Sequence, residues 1–186
     1  VANGYIKTST QKAFLQGING CVEHIKVLHE IVQDAKANKR TVHFSWFDLT
    51  DAFGSISHFL IEYCMKHFNV PEKEIQYINN LYSQLNGKVV TKEWSSDVFT
   101  FLKGVFQGDP YSAIIFLVVF QPLLDFLLQH KSQGYKLGDH QVITLPFADD
   151  FEVISNHQTK HKKLVLDVQA KAESMGLEFK ASKCRS

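Results

Sequence analysis

Phe147-Ala148-Asp149-Asp150-Phe151 sets two acids side by side inside an apolar, strand-like run. About a hundred residues earlier, Phe47-Asp48-Leu49-Thr50-Asp51-Ala52-Phe53 does much the same. A buried carboxylate costs several kcal/mol unless a cation or hydrogen bonds compensate it. Acids in such sequence therefore call for something positive. If one Asp of the first island and two of the second converge, they form an oxygen-rich, hard site. Such a site holds one or two Mg²⁺ ions between protein and substrate phosphates.

Working outward from these islands, Thr41 to Asp48 is rich in β-branched and aromatic residues and predicts a strand with Asp48 at or near its end. Strict alternation puts Asp48 on the face of Val42, Phe44 and Trp46, so either the sheet is covered on both sides or the strand ends just before Asp48. Val142–Phe147 and Phe151–Ile154 predict a hairpin with Ala148-Asp149-Asp150 at its turn, and Pro146 is a defect in its first arm. Upstream, Cys21, Val22, Ile25, Leu28, Ile31, Val32 and Ala35 share one helical stripe, opened by Asn19-Gly20 and closed near Asn38.

Between the islands, Phe59, Leu60, Tyr63 and Cys64 predict a helix after Ser57. Pro71 fits the first position of another that carries Ile75, Ile78, Leu81, Tyr82 and Leu85 and stops at Asn86-Gly87. Two strand-like runs follow, Lys88–Thr91 and Val98–Phe101. The loop Lys103–Pro110 then leads into a long apolar stretch, Ala113–Leu128, which Gln121, Pro122 and Asp125 interrupt. That stretch is shorter than the run of about 18 apolar residues of a membrane span and reads as a buried helix. Thr159–Met175 is an amphipathic helix stopped by Gly176, and Leu177–Phe179 closes the chain with a strand. His157, His161 and Lys160, Lys162 and Lys163 read as a solvated helix face.

The chain has 186 residues, 45% of them hydrophobic, enough for a sizeable core in one compact domain. Net charge is +1, so any basic track for nucleic acid is local rather than global. Cys21, Cys64 and Cys184 lack metal-ligand spacing and are odd in number, which argues for a reducing compartment and ordinary thiols. The first residues carry no basic-then-apolar leader, and no repeat or linker divides the chain.

Four blocks in order carry a resemblance. They are Asp48-Leu49-x-x-Ala52-Phe53, Gly104-Val105-x-Gln107-Gly108-Asp109-Pro110-x-Ser112, Phe147-Ala148-Asp149-Asp150, and Gly176-Leu177 followed by Lys183-Cys184. Together they resemble the palm of a reverse transcriptase, most closely that of non-LTR (LINE-like) retrotransposons. Gln11-Lys12-Ala13-Phe14-Leu15 is similar to the finger-side block that precedes this palm. The resemblance runs from about Gln11 to Cys184, nearly the whole chain.

It implies an α+β fold: a polymerase palm, an antiparallel sheet backed by helices, with part of the fingers and the thumb absent. Residues 1–40 would be a partial fingers segment and 41–186 the palm, with a finger-side insertion at about 70–105. The implied function is that of a fragment of an RNA-directed DNA polymerase, a nucleotidyltransferase that extends a primer with dNTPs by two-metal chemistry; the isolated fragment need not be active. Asp48 and Asp149 would bridge two Mg²⁺ ions, with Mn²⁺ as a substitute. Asp150 would be the third carboxylate, and the Leu49 carbonyl would complete the nucleotide-side metal. The Phe53 ring would lie under the sugar of the incoming nucleotide and disfavour a 2′-hydroxyl. Gln107 and Gly108 would pack against the nascent base pair, and Lys183 would serve the leaving pyrophosphate, with Lys180 as its competitor.

RNA template, DNA primer and dNTP are the implied partners, with no membrane, and the implied setting is intracellular, nuclear or cytoplasmic. Oligomeric state is not legible. Some positions depart from the family pattern: Phe106 replaces a common basic residue or proline, Ala113 a proline, Gly54 an aspartate and Asp51 a lysine. The alternatives are an RNA-directed RNA polymerase palm, a two-metal nuclease or phosphatase, and a decayed or domesticated non-catalytic copy that binds nucleic acid.

Overall fold

The structure is a computed structural model and describes residues 6–106 and 108–186. The chain forms two compact units. One comprises residues 1–52 and 120–186, the other 53–119.

In the first unit, helix α1 (Gly20–Ala37) and strand β1 (His43–Phe47) appear as the periodicity predicts. β1 stops one residue before Asp48, which resolves the alternation problem: the acid lies past the ladder rather than on a sheet face. β1 pairs antiparallel with β6 (Phe151–Ser155) in the register Phe47↔Phe151 to His43↔Ser155. Helix α6 (Gln158–Ser174) packs against this pair, and Ile31 and Ala35 of α1 share a core with Tyr135 and Ile154. Strands β4 (Tyr135–Leu137) and β5 (His140–Val142) form a separate small hairpin.

The predicted acid-tipped hairpin is only partly formed. Its tip is real, since Phe147 N–H donates to the Asp150 carbonyl at 2.8 Å and Asp150 N–H returns to Phe147 at 3.2 Å. Its first arm is not a strand beyond Val142, and the ladder partner of β6 is β1. The reason lies in residues 143–146. Pro146 has no N–H to give, and Leu145 gives its N–H to the Glu152 carboxylate instead of a main-chain carbonyl. The predicted last strand, Leu177–Phe179, is likewise reduced to one isolated bridge, Leu49↔Phe179, and a further bridge, Trp46↔Arg185, follows beyond it.

The second unit holds α2 (Ala52–Ser55), α3 (His58–His67), α4 (Glu72–Ser83) and a minimal hairpin of β2 (Asn86–Gly87) and β3 (Phe99–Thr100). Ser57 caps α3 by accepting the Leu60 N–H at 3.0 Å. The buried face of α3 is Ile61, Cys64 and Met65, however, while the predicted Phe59 and Tyr63 are 78% and 59% exposed. Pro71 is the cap of α4 rather than its first residue, and Asn86-Gly87 opens β2 instead of ending the helix. Helix α5 (Pro110–Gln129) runs through Pro122. Tyr111–Gln129 is long and apolar enough to cross a membrane, yet 61% of that window is buried in the protein, as in a core helix.

Candidate active site

Four aromatic rings build the floor beneath the acids. Phe47 of β1 stacks on Phe151 of β6 with centroids 5.0 Å apart, Phe179 tilts onto Phe47 at 4.8 Å, and Phe120 meets Phe151 edge-on at 5.6 Å. Burying this much ring surface fixes the end of the β1–β6 pair, and such ring pairs add roughly 0.5–1.5 kcal/mol each beyond area. Because Phe47 and Phe151 are paired, Asp48 and Asp150 leave the ladder at the same end.

Asp48 is held through its backbone. Its carbonyl accepts the Lys180 N–H at 2.8 Å, and the Thr50 N–H donates to Glu178 at 2.8 Å. This ladder uses Asp48 O and Thr50 N, so it does not take the carbonyl of Leu49, whose side chain is buried. The Asp48 side chain faces Lys183, whose Nζ stands 3.2 Å from each carboxylate oxygen with hydrogen-bond geometry only to Oδ1. Oδ2 is buried and accepts no hydrogen bond.

Asp149 and Asp150 sit in the turn that Phe147 opens. Ala148, its first central residue, has φ +57°, a conformation that costs an L-residue about 1 kcal/mol. Burial, then the charge of Asp149, then that of Asp48 raise the Asp150 carboxyl above its ordinary value, and Lys183 partly offsets them. Asp150 thus feels two other carboxylates and one opposing lysine. A cavity of about 640 Å³ opens here, lined by Asp48, Asp150, Lys183, Trp46, Phe147 and Glu152.

Among the described residues, no three acid, histidine or cysteine side chains form a ready-made metal cage. The donor set nevertheless suits a hard divalent cation. The oxygens there are carboxylate oxygens, Asp48 Oδ2 is a buried acceptor without a hydrogen bond, and the Lys183 ammonium stands 3.2 Å from it.

Phe53, Gly108 and the adjoining loop belong to the second unit. The Phe53 ring is half-buried and stacks on Phe116 at 5.0 Å. Val105 N–H donates to the Phe53 carbonyl at 2.9 Å, so α2 and the loop are tied together. Gly104, at φ +92°, lies where an added Cβ would stand 3.3 Å from the Gly54 carbonyl oxygen, and Gly108 has φ +98°. Gln107 lies outside the described residues.

Sequence reasoning missed the roles of three polar residues in the first unit. Glu152 is one, its carboxyl pushed up to about 7 by burial. His161 is another: it is buried, not on a solvated face, and bonds Ser45 Oγ at 2.8 Å and Ser155 Oγ at 3.0 Å. The third is Gln11, whose amide meets the Ala148 backbone. The signals were a polar residue at an inward position of a strand, a histidine in register with Leu164 and Val168, and a glutamine in an apolar block.

The sequence profile of the family described as reverse transcriptase (RNA-dependent DNA polymerase) matches residues 7–186. The chain belongs to the reverse transcriptase family. Similar proteins include the Retrovirus-related Pol polyprotein from type-2 retrotransposable element R2DM of Drosophila melanogaster, 27% identical over 94% of this chain and 16% of that protein. A second is the Retrovirus-related Pol polyprotein from type-1 retrotransposable element R2 of Nasonia vitripennis, 23% identical over 95% and 17%. Both relatives are of the non-LTR retrotransposon kind that the motif order resembles. The chain spans about a sixth of the length of these relatives.

Among solved structures, apo telomerase from Candida tropicalis aligns with a TM-score of 0.69 over 95% of this chain and 33% of its own, at 14% identity. Telomerase from Candida albicans in complex with a fragment of telomeric RNA aligns with 0.69 over 95% and 32%, at 12% identity. The α+β polymerase fold expected from the motifs is therefore the fold of the chain.

Proposed function

We propose that this chain is the polymerising core of an RNA-directed DNA polymerase that extends a DNA primer with dNTPs along an RNA template, inside the cell. One observation carries the reading: Asp48 and the Asp149-Asp150 turn leave the β1–β6 pair at the same end, electrostatically coupled, beside Lys183. Residues 1–40 are read as part of the fingers and 41–186 as the palm, with 70–105 inserted on the finger side.

Asp48, Asp149 and Asp150 would hold two Mg²⁺ ions, or Mn²⁺, with the Leu49 carbonyl as a further ligand. Bound there, the ions would lower the pKa of the primer 3′-hydroxyl and neutralise charge on the phosphates. In the reaction that hydroxyl oxygen bonds the α-phosphorus while the α–β bridging oxygen leaves with pyrophosphate. Lys183 Nζ carries a proton that the leaving oxygen can accept, once released from Asp48. Phe53 excludes a 2′-hydroxyl, and Gln107 and Gly108 contact the nascent pair.

The test is primer extension on an RNA template by the full-length protein that carries this chain, with Mg²⁺ and either dNTPs or rNTPs. The expected result is strong preference for dNTPs, narrowed about 10-fold or more by Phe53→Ala. Equal use of both sugars by the wild type rejects DNA synthesis as the activity.

A further inference from the structure

The strained turn that presents Asp149 and Asp150 is clasped by a side chain from the other end of the chain. Gln11, 1% exposed, accepts the Ala148 N–H at its Oε1 (3.0 Å) and donates from Nε2 to the Ala148 carbonyl (3.1 Å). One primary amide thus satisfies both polar groups of one peptide residue, as a neighbouring β-strand would. The same Oε1 accepts the N–H groups of Lys12 and Ala13, each at 3.0 Å, so the amide's orientation is fixed from its own side as well.

The Gln11 segment is itself anchored. Lys7 N–H donates to Gln121 Oε1 at 3.2 Å, Lys7 Nζ pairs with Asp125 at 2.7 Å, and Gln11 N–H returns to the Lys7 carbonyl at 3.0 Å. Lys12 pairs with Glu23 at 3.0 Å, and the backbone of Lys12 passes so close to Gly20 that a Cβ there would stand 2.7 Å from the Lys12 carbonyl oxygen. The clasp is therefore mounted on α1 and α5 rather than on a loose arm.

We propose that Gln11 is a positioning residue that holds the Ala148 turn in the conformation presenting Asp149 and Asp150 to divalent cations. This role rests on the polymerase reading. A left-handed φ of +57° is costly for Ala148, and the two bonds from Gln11 oppose its relaxation. Gln11 touches neither substrate nor metal; groups of this kind behind ligands are typically worth 10–100-fold in metal affinity or activity.

The test uses Mn²⁺ as probe, read by electron paramagnetic resonance on the chain, with Gln11→Met as a variant of similar volume that makes neither bond to Ala148. The wild type binds Mn²⁺, and folded Gln11→Met binds it about 10-fold or more weakly. In the full-length protein the Mg²⁺ concentration for half-maximal extension rises similarly, with KM for dNTP unchanged. A folded Gln11→Met with wild-type Mn²⁺ affinity overturns the positioning role alone. Hydrogen exchange of the wild type adds a readout independent of the variant: the Ala148 amide is protected, and exchange at the rate of an unstructured peptide overturns the role even if Gln11→Met does not fold. A wild type that neither binds Mn²⁺ nor extends a primer overturns the polymerase reading, and this role with it.

Discussion

Asp48 and the Asp149-Asp150 pair reach one end of the β1–β6 ladder by opposite means. Asp48 is placed by main chain, with β6 along one edge of β1 and the bridges of Leu49 and Trp46 to residues 179 and 185 along the other. The acid pair has only the short Phe147–Asp150 main-chain pair and leans on side chains besides: Gln11 bonds both polar groups of Ala148, which is left-handed, and Glu152 takes the Leu145 N–H in the arm that leads to the turn. A main-chain ladder tolerates most substitutions, because every residue but proline supplies the same donor and acceptor. A side-chain clasp fails with a single residue. One half of the acid cluster is thus set by backbone pairing and the other by a few specific contacts.

The largest expected effect ignores that difference. Asp48→Asn and Asp149→Asn should each lower primer extension on the order of 10³-fold, because either removes a carboxylate proposed to hold the cations that neutralise the transferring phosphate. Stability separates them. Asp149→Asn relieves the repulsion that raises the Asp150 carboxyl and should hold or raise Tm. Asp48→Asn relieves a smaller share of that repulsion but strips Lys183 of its charged partner, and should lower Tm slightly. Parallel Tm shifts in the two variants would break the electrostatic account.

The same contrast governs what was legible in the sequence. Features set by main-chain propensity could be read: the strand that leads into Asp48, α1, α5, and the tip of the acid turn. So could the four motif blocks, whose order alone pointed to the family. Features set by contacts between distant residues could not. Gln11 binds a backbone 137 residues away, and no local pattern states that. In α3 the six apolar residues Phe59, Leu60, Ile61, Tyr63, Cys64 and Met65 surround the axis, so periodicity could not choose the buried face that packing against α4 selects. His161 was hidden among lysines, although it falls three residues before Leu164 and seven before Val168 on the buried stripe of α6.

Glu152 offers a smaller test of the clasped side. Replacing it with Ala strands the Leu145 N–H and should cost about 1–3 kcal/mol by denaturant melt. Glu152→Gln keeps an acceptor and removes the titration. With its folded pKa raised from 4.5 to about 7, the native state binds more protons than the unfolded chain between those values, so the acid's contribution to stability falls as pH rises through that window. Glu152→Gln should therefore gain stability relative to wild type from pH 4.5 to 7 and keep a constant margin above. A margin independent of pH would show that the carboxyl is not desolvated.

The smallest effect belongs to the main-chain side. His161 receives no help from a carboxylate: burial, and then the nearby His43 ring at 5.6 Å, lower its pKa below 6.5. Its ring bridges Ser45 of β1 and Ser155 of β6, and Ser45 Oγ in turn donates to Ser186 Oγ at 2.8 Å. The sign is opposite to that of Glu152. Above pH 6.5 the imidazole is neutral in both states and its bonds count fully. As pH falls below 6.5 the unfolded chain takes up the proton first, and the stabilisation drains away toward the lowered folded pKa. His161→Gln should cost about 1 kcal/mol at pH 7.5, and that deficit should shrink as pH approaches 5. Because the β1–β6 ladder survives the substitution, Asp48 should keep its place and extension at pH 7.5 should stay within about twofold of wild type. A larger loss of activity at unchanged Tm would mean that the ladder alone does not place Asp48, and the contrast between the two halves of the acid cluster would disappear.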